Sequence, residues 1–115
     1  MKYLIPLLLI APPLFADPPQ IEGVEAQDAG NGWRFAVTLR HPDTGWDHYA
    51  DAWRIELEDG TVLGTRVLVH PHETEQPFTR SQGGIVIPDG TERVVVRARC
   101  LVDGWSDAAT VYTLP

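Results

Sequence analysis

The chain has 115 residues, 43% of them apolar and 22% charged, with a formal net charge of −7, a composition that belongs to a globular protein and excludes a disordered tail. An acidic surface repels phosphate, which argues against nucleic acid and anionic lipid as partners and leaves cations or basic proteins as the charge-compatible ones. The length allows one domain with one modest core and no large enclosed active site.

Residues 1–16 read as an export signal. Met1-Lys2 gives a short positive start, Tyr3 to Phe15 an apolar run, and Leu14-Phe15-Ala16 ahead of Asp17-Pro18-Pro19 a cleavage site. A membrane anchor is the weaker alternative, because the run falls short of the roughly 20 apolar residues a span needs and Pro6, Pro12 and Pro13 interrupt it. No cysteine stands at the cleavage point to take a lipid. The expectation is a single domain over residues 17–115, periplasmic or secreted, with no membrane insertion once the signal is removed. Its charge is then carried by eight arginines against 16 carboxylates.

That domain is punctuated every eight to twelve residues, the spacing of an all-β sandwich or barrel. A weak first strand runs from Ile21 to Ala26, and Asn31-Gly32 turns the chain. In the second, Trp33, Phe35, Val37 and Leu39 alternate with Arg34, Ala36, Thr38 and Arg40, so one face is buried and the other wet. The third, Tyr49 to Glu58, points Trp53, Ile55 and Leu57 inward, and Asp59-Gly60 is a tight-hairpin signal into a fourth at Thr61 to His70. A long connection, Pro71 to Gly83, leads to a short fifth strand at Gly84 to Ile87; Pro88-Asp89-Gly90 turns again. Glu92 to Val102 is the sixth strand, Asp103-Gly104 a tight turn, and Ala108 to Leu114 the seventh. Cys100, the one cysteine, shares the inward phase of Val94, Val96 and Ala98 and reads as a small buried apolar residue rather than a reactive thiol.

Seven short strands with a buried tryptophan on the third fit an immunoglobulin-like β-sandwich. The stretch Glu92-Arg93-Val94-Val95-Val96-Arg97-Ala98-Arg99-Cys100-Leu101-Val102-Asp103-Gly104-Trp105-Ser106 resembles the last hairpin of fibronectin type III domains, where a V-x-V-R-A strand enters a G-W-S turn. The resemblance implies a fold and no chemistry, since such domains are mostly adhesive or spacer modules. The chain departs from that pattern in lacking a tyrosine before Cys100, in the polar, aromatic run His41 to Tyr49, and in the length of Pro71 to Gly83.

Up-and-down threading places the loops after the second, fourth and sixth strands at one end, and these loops carry all four histidines, His41, His48, His70 and His72. In His70-Pro71-His72, residues two apart in an extended segment point the same way, and proline stiffens the link. The expectation is a divalent transition metal, zinc or copper(II), held by His70 and His72 with His48 and His41, while Asp47, Glu73 or Glu75 supplies a further ligand or orients a ring. Copper(I) is disfavoured because Met1 is the chain's one methionine, and a blue-copper arrangement because no histidine follows Cys100. A second expectation needs no metal: Trp46, Tyr49, Phe78 and Trp105 near the same loops are residue types that anchor interfaces, here with an envelope protein; the alternative for Phe78 is a place in the sandwich edge. No serine-nucleophile elbow, phosphate loop, dinucleotide, haem or EF-hand spacing occurs. A non-enzymatic role is therefore expected, with metal-assisted hydrolysis the one enzymatic route left conceivable.

Overall fold

The computed structural model describes residues 18–115, so the export signal at 1–16 lies outside the described residues. Alternating strands fold into two antiparallel sheets. The first has the order β1-β2-β5, from β1 (Gln20–Asp28), β2 (Trp33–Arg40) and β5 (Phe78–Ile85). The second has the order β4-β3-β6, from β3 (Ala50–Glu56), β4 (Val62–Val67) and β6 (Arg93–Cys100), and the far edge of β6 takes β7 (Gly104–Trp105) and β8 (Thr110–Thr113) in turn. Inward side chains of both sheets share one core: Phe35, Val37, Leu39, Phe78 and Ile85 from the first, Trp53, Ile55, Val94, Val96 and Ala98 from the second. The period-two pattern of β2, β3 and β6 is thus spent on a common apolar layer, as in any stack of two half-wet sheets.

Among the described residues eight strands are present where seven were expected: the seventh, expected at Ala108 to Leu114, is β8, and the extra one is the short β7, Gly104–Trp105, which follows Asp103 where only a turn was expected and pairs with Arg99 and Cys100. Past β7 the Ser106 N–H still donates to the Ala98 carbonyl at 2.9 Å, while the Ser106 and Asp107 carbonyls accept from Arg97 Nη1 at 2.6 and 2.8 Å, so between β7 and β8 these carbonyls serve a side chain. The fifth strand also differs, running from Phe78 to Ile85 where Gly84 to Ile87 was expected. Its ends, Phe78 and Ile85, are anchored in the core, and the polar residues between them pair with β2, Thr38 Oγ1 meeting Thr79 Oγ1 at 2.7 Å.

On the outer face of the second sheet, Glu56 is only 3% exposed and accepts from Arg54 Nε (2.6 Å) and Arg97 Nε (3.0 Å). Burial would raise its carboxyl, but the two guanidiniums outweigh that and hold it below the ordinary carboxylate range. Arg54 in turn lies 4.0 Å over the Trp105 ring, a cation–π contact that covers the indole face.

The sheets approach closely at Gly64, where a Cβ would sit 3.0 Å from Ile85 Cγ1. Gly64→Ala should therefore lower stability by about 1–3 kcal/mol in urea denaturation, the range for overpacking a filled core. Because both changes act on one contact, Gly64→Ala with Ile85→Ala should cost less than the sum of the single changes; strict additivity would count against the clash.

Candidate metal centre

Three chain reversals meet at one end of the sandwich: residues 41–49 between β2 and β3, 68–77 between β4 and β5, and 101–103 between β6 and β7. Backbone hydrogen bonds join them to their neighbours, Leu101 N–H to Tyr49 O at 3.0 Å and Leu68 N–H to Asp51 O at 2.9 Å. The four histidines are therefore gathered here, but they divide into two pairs with different surroundings.

His41 continues the inward phase of β2 past Leu39 and is 1% exposed. Its Nδ1 lies 2.6 Å from Asp43 Oδ1. A carboxylate oxygen accepts, so Nδ1 carries the proton and the lone pair of the neutral ring sits on Nε2. That Nε2 is buried and has no hydrogen-bond partner among the described residues, and the same holds for Nε2 of His48. The two rings meet edge to face, 4.8 Å between centroids. Cys100, the last residue of β6, faces Ala50 across the ladder and is fully buried. One ring nitrogen of His41, one of His48 and the sulfur of Cys100 all lie within 4.8 Å of one another. The expectation that Cys100 is buried holds; its place beside two imidazoles was not foreseen.

Asp43 organises this end. Its Oδ1 also accepts the Ala50 N–H at 3.0 Å, and its Oδ2 accepts the His72 N–H at 2.7 Å. Gln76 closes the same circuit, with Oε1 accepting the His41 N–H at 2.9 Å and Nε2 donating to the His72 carbonyl at 2.8 Å. A carboxylate that fixes an imidazole tautomer and aims its other nitrogen is the usual outer support of a metal-bound histidine. Sequence reasoning gave Asp43 no role; its spacing of two from His41 was the available signal.

The second pair is employed differently. His72 is buried and stacked on Phe78, centroids 3.9 Å apart at 8°, and its Nε2 accepts from Arg80 Nη2 at 2.8 Å. A guanidinium occupies the lone pair that a metal would need. His70 is exposed and tilted over His72 at 4.5 Å, with Nδ1 donating to the Pro71 carbonyl at 3.0 Å. The His70-Pro71-His72 segment thus brings its rings together in a stack, outside the group formed by His41, His48 and Cys100. Asp47, Glu73 and Glu75 are all exposed and outside that group too; Glu75 lies 3.4 Å from Arg80.

Of the expected interface aromatics, Trp46 is 68% exposed and touches the half-buried Tyr49, ring centroids 5.9 Å apart. Phe78 is a correction: at 2% exposure it belongs to the core and offers no free surface. Its apolar ring starts β5 on the inward phase and carries the His72 stack. Trp105 is half-buried beneath Arg54.

No family model matches the chain, and no solved structure matches it. It is 46% identical over 82 residues to a protein of Halomicrobium mukohataei named "Putative lipoprotein"; the match covers 71% of this chain and 40% of that relative. The chain thus spans well under half the relative's length.

The His72 environment carries a pH signature. Burial first, then the Arg80 guanidinium and His70, push its imidazole below the ordinary histidine range, against a weaker pull from Asp43 and Glu75. A base whose folded value is depressed contributes stability that is complete above the ordinary value of 6.5 and is lost as pH falls through the folded value. Urea midpoints of the parent should therefore drop from neutral pH to about pH 5, within the usual histidine range. His72→Gln should flatten that drop, and an unchanged slope would show that His72 does not couple protonation to folding.

Proposed function

We propose that the chain is an exported, envelope-associated domain that binds one divalent transition metal ion, zinc or copper(II), through His41, His48 and Cys100, and serves as a carrier, buffer or metal-dependent binding domain. The observation that carries this reading is that one ring nitrogen of His41, one of His48 and the Cys100 sulfur lie within 4.8 Å of one another, on two rings whose buried Nε2 atoms lack a hydrogen-bond partner among the described residues. A buried polar atom left unpaired is destabilising by about 1–3 kcal/mol, and two of them on rings that meet beside a thiol call for an explanation. A metal ion supplies one. It needs neutral imidazoles and a thiolate, with bonds of about 2.0–2.1 Å to nitrogen and 2.3 Å to sulfur. Donors within 4.8 Å of one another reach that geometry by closing in about an ångström.

The envelope placement is supported by the export-type start of the sequence and by the printed name of the Halomicrobium relative; a whole-protein role for that longer chain is not carried over. A fibronectin type III-like sandwich is the finer fold we propose. Its support is the strand order β1-β2-β5 against β4-β3-β6 together with the hairpin that runs from β6 through Gly104-Trp105-Ser106.

A recognition role has its own observation. Trp46, Leu101 and Val102 are exposed apolar side chains on the two loops that carry His48 and follow Cys100. Metal at the site would fix those loops, so the two roles combine in a metal-dependent binding domain.

Protein purified without a histidine tag should bind one equivalent of zinc or copper(II) by titration calorimetry and gain thermal stability with it. His41→Ala or Cys100→Ala should abolish this, and Asp43→Asn should weaken it about 10–100-fold through loss of the support to His41. The double variant His70→Ala with His72→Ala should keep the equivalent, provided circular dichroism shows a folded chain. The opposite pattern, loss with the His70/His72 pair and retention without Cys100, would move the site to that pair.

A further inference from the structure

We infer that this site, on whose metal reading the inference rests, is a one-electron copper centre in which Cys100 binds as thiolate between the imidazoles of His41 and His48. Two imidazoles and one thiolate, without a fourth side chain in the group, form the trigonal donor set associated with electron-transfer copper, whereas structural zinc sites take four protein ligands. The sequence hides this arrangement because neither histidine follows the cysteine. Both come from the loop between β2 and β3, and the Ala50–Cys100 pairing of β3 with β6 brings them to the sulfur.

Charge points the same way. Copper(I) with one thiolate and two neutral imidazoles is uncharged overall, the form that burial penalises least. Copper(II) in the same ligands carries one positive charge, and the fully buried Asp43 carboxylate lies directly behind the His41 ring to oppose it. The sulfur has its own regulator in Asp103, whose N–H points at Cys100 Sγ from 3.5 Å and whose carboxylate Oδ2 accepts from the thiol at 3.9 Å and adds negative charge beside the site; hydrogen bonding around such a sulfur is one of the levers on the potential of a copper–thiolate centre.

The ligands also stand on supports that change little. His41 directly follows β2 and is held at both its ring and its backbone N–H, and Cys100 closes β6 in a paired register. His48 is the half-buried member of the group, the one ligand of the three whose side faces outward. In the step itself copper(II) accepts one electron from a one-electron donor and becomes copper(I). All three metal–ligand bonds persist, and the thiol proton leaves once, when the metal is first bound.

The test adds copper(II) to the purified, metal-free protein. An intense visible thiolate-to-copper(II) charge-transfer band should appear, with narrow copper hyperfine splitting in electron paramagnetic resonance. Ascorbate should bleach the band, ferricyanide should restore it through repeated cycles, and the Cys100 thiol should be recovered intact after chelation. Cys100→Ser should remove the band; should that variant fail to fold, cobalt(II) on the unchanged protein provides the check, through its own thiolate charge-transfer band. Zinc and copper(II) bound at one equivalent without any charge-transfer band, or a thiol consumed on the first contact with copper(II), overturns the redox inference and leaves the metal site standing. Failure of both zinc and copper(II) to bind overturns the underlying reading as well.

Discussion

The end of the sandwich that carries the site depends on one buried carboxylate. Asp43 accepts N–H donors from the His41 ring, the Ala50 backbone and the His72 backbone. These belong to the end of β2, the start of β3 and the connection between β4 and β5, so a single side chain sets the relative position of three segments distant in sequence. A buried polar network in which its central member is fully satisfied is rigid and specific, because a competing arrangement leaves one of its donors unpaired in a low-dielectric interior. Gln76 repeats the logic with the backbones of His41 and His72. Where β3 begins decides where Ala50 meets Cys100, and so the carboxylate reaches the sulfur without touching it.

Four residues of one type consequently do three different things. His41 donates a hydrogen bond from Nδ1 to Asp43, which leaves its lone pair on Nε2; His72 accepts a hydrogen bond from Arg80 and packs on Phe78; His70 lies over His72 at the surface. His48 leaves Nε2 buried beside His41. Neutral imidazole is donor at one nitrogen and acceptor at the other, and the partner of the first nitrogen decides what the second can bind. A guanidinium beside His72 and a carboxylate beside His41 assign opposite uses to the same ring.

Much of the fold was legible because β2, β3 and β6 alternate apolar and polar residues with few breaks. Trp33 to Arg40 begins and ends where the pattern says. β5 was harder: between Phe78 and Ile85 stand Thr79, Arg80, Ser81, Gln82, Gly83 and Gly84, a strand with apolar residues only at its ends and no period to detect. The short β7 was invisible as well, since Gly104-Trp105 reads as the end of a turn and becomes a strand only by pairing with Arg99 and Cys100. For the site, up-and-down threading gathers the histidines at one end, and the loops do meet there. The donor set was not legible. Cys100 on the inward phase reads as core, and it is core, but burial and ligation are not alternatives at the end of a strand where a loop folds imidazoles over the last buried residue.

What sets the His41 and His48 rings apart is that a nitrogen of each lies within 4.8 Å of the other and of the Cys100 sulfur, and not the bare fact of an unpaired atom, which His72 Nδ1, Asp51 Oδ1 and Ser106 Oγ share. Other buried atoms also lack hydrogen-bond partners, among them Trp53 Nε1 and Arg66 Nε. An indole N–H and a guanidinium N–H are donors only and cannot hold a cation, so they are local losses with no ligand to explain them. Elsewhere the chain pairs a difficult group thoroughly, as at Glu56, which is held by Arg54 and Arg97 with Trp105 covered in the same stack. The imidazole nitrogens differ from both cases. A ring nitrogen of each lies within 4.8 Å of the other and of the Cys100 sulfur, a neutral imidazole has a lone pair to offer, and the buried sulfur gains affinity for a soft cation when its proton leaves. Two imidazoles and a thiol gathered at the end of an apolar core, one ring oriented by a buried carboxylate, form a donor set that a cation would hold together, and that juxtaposition is the physical reason for the ion proposed at this end of the fold.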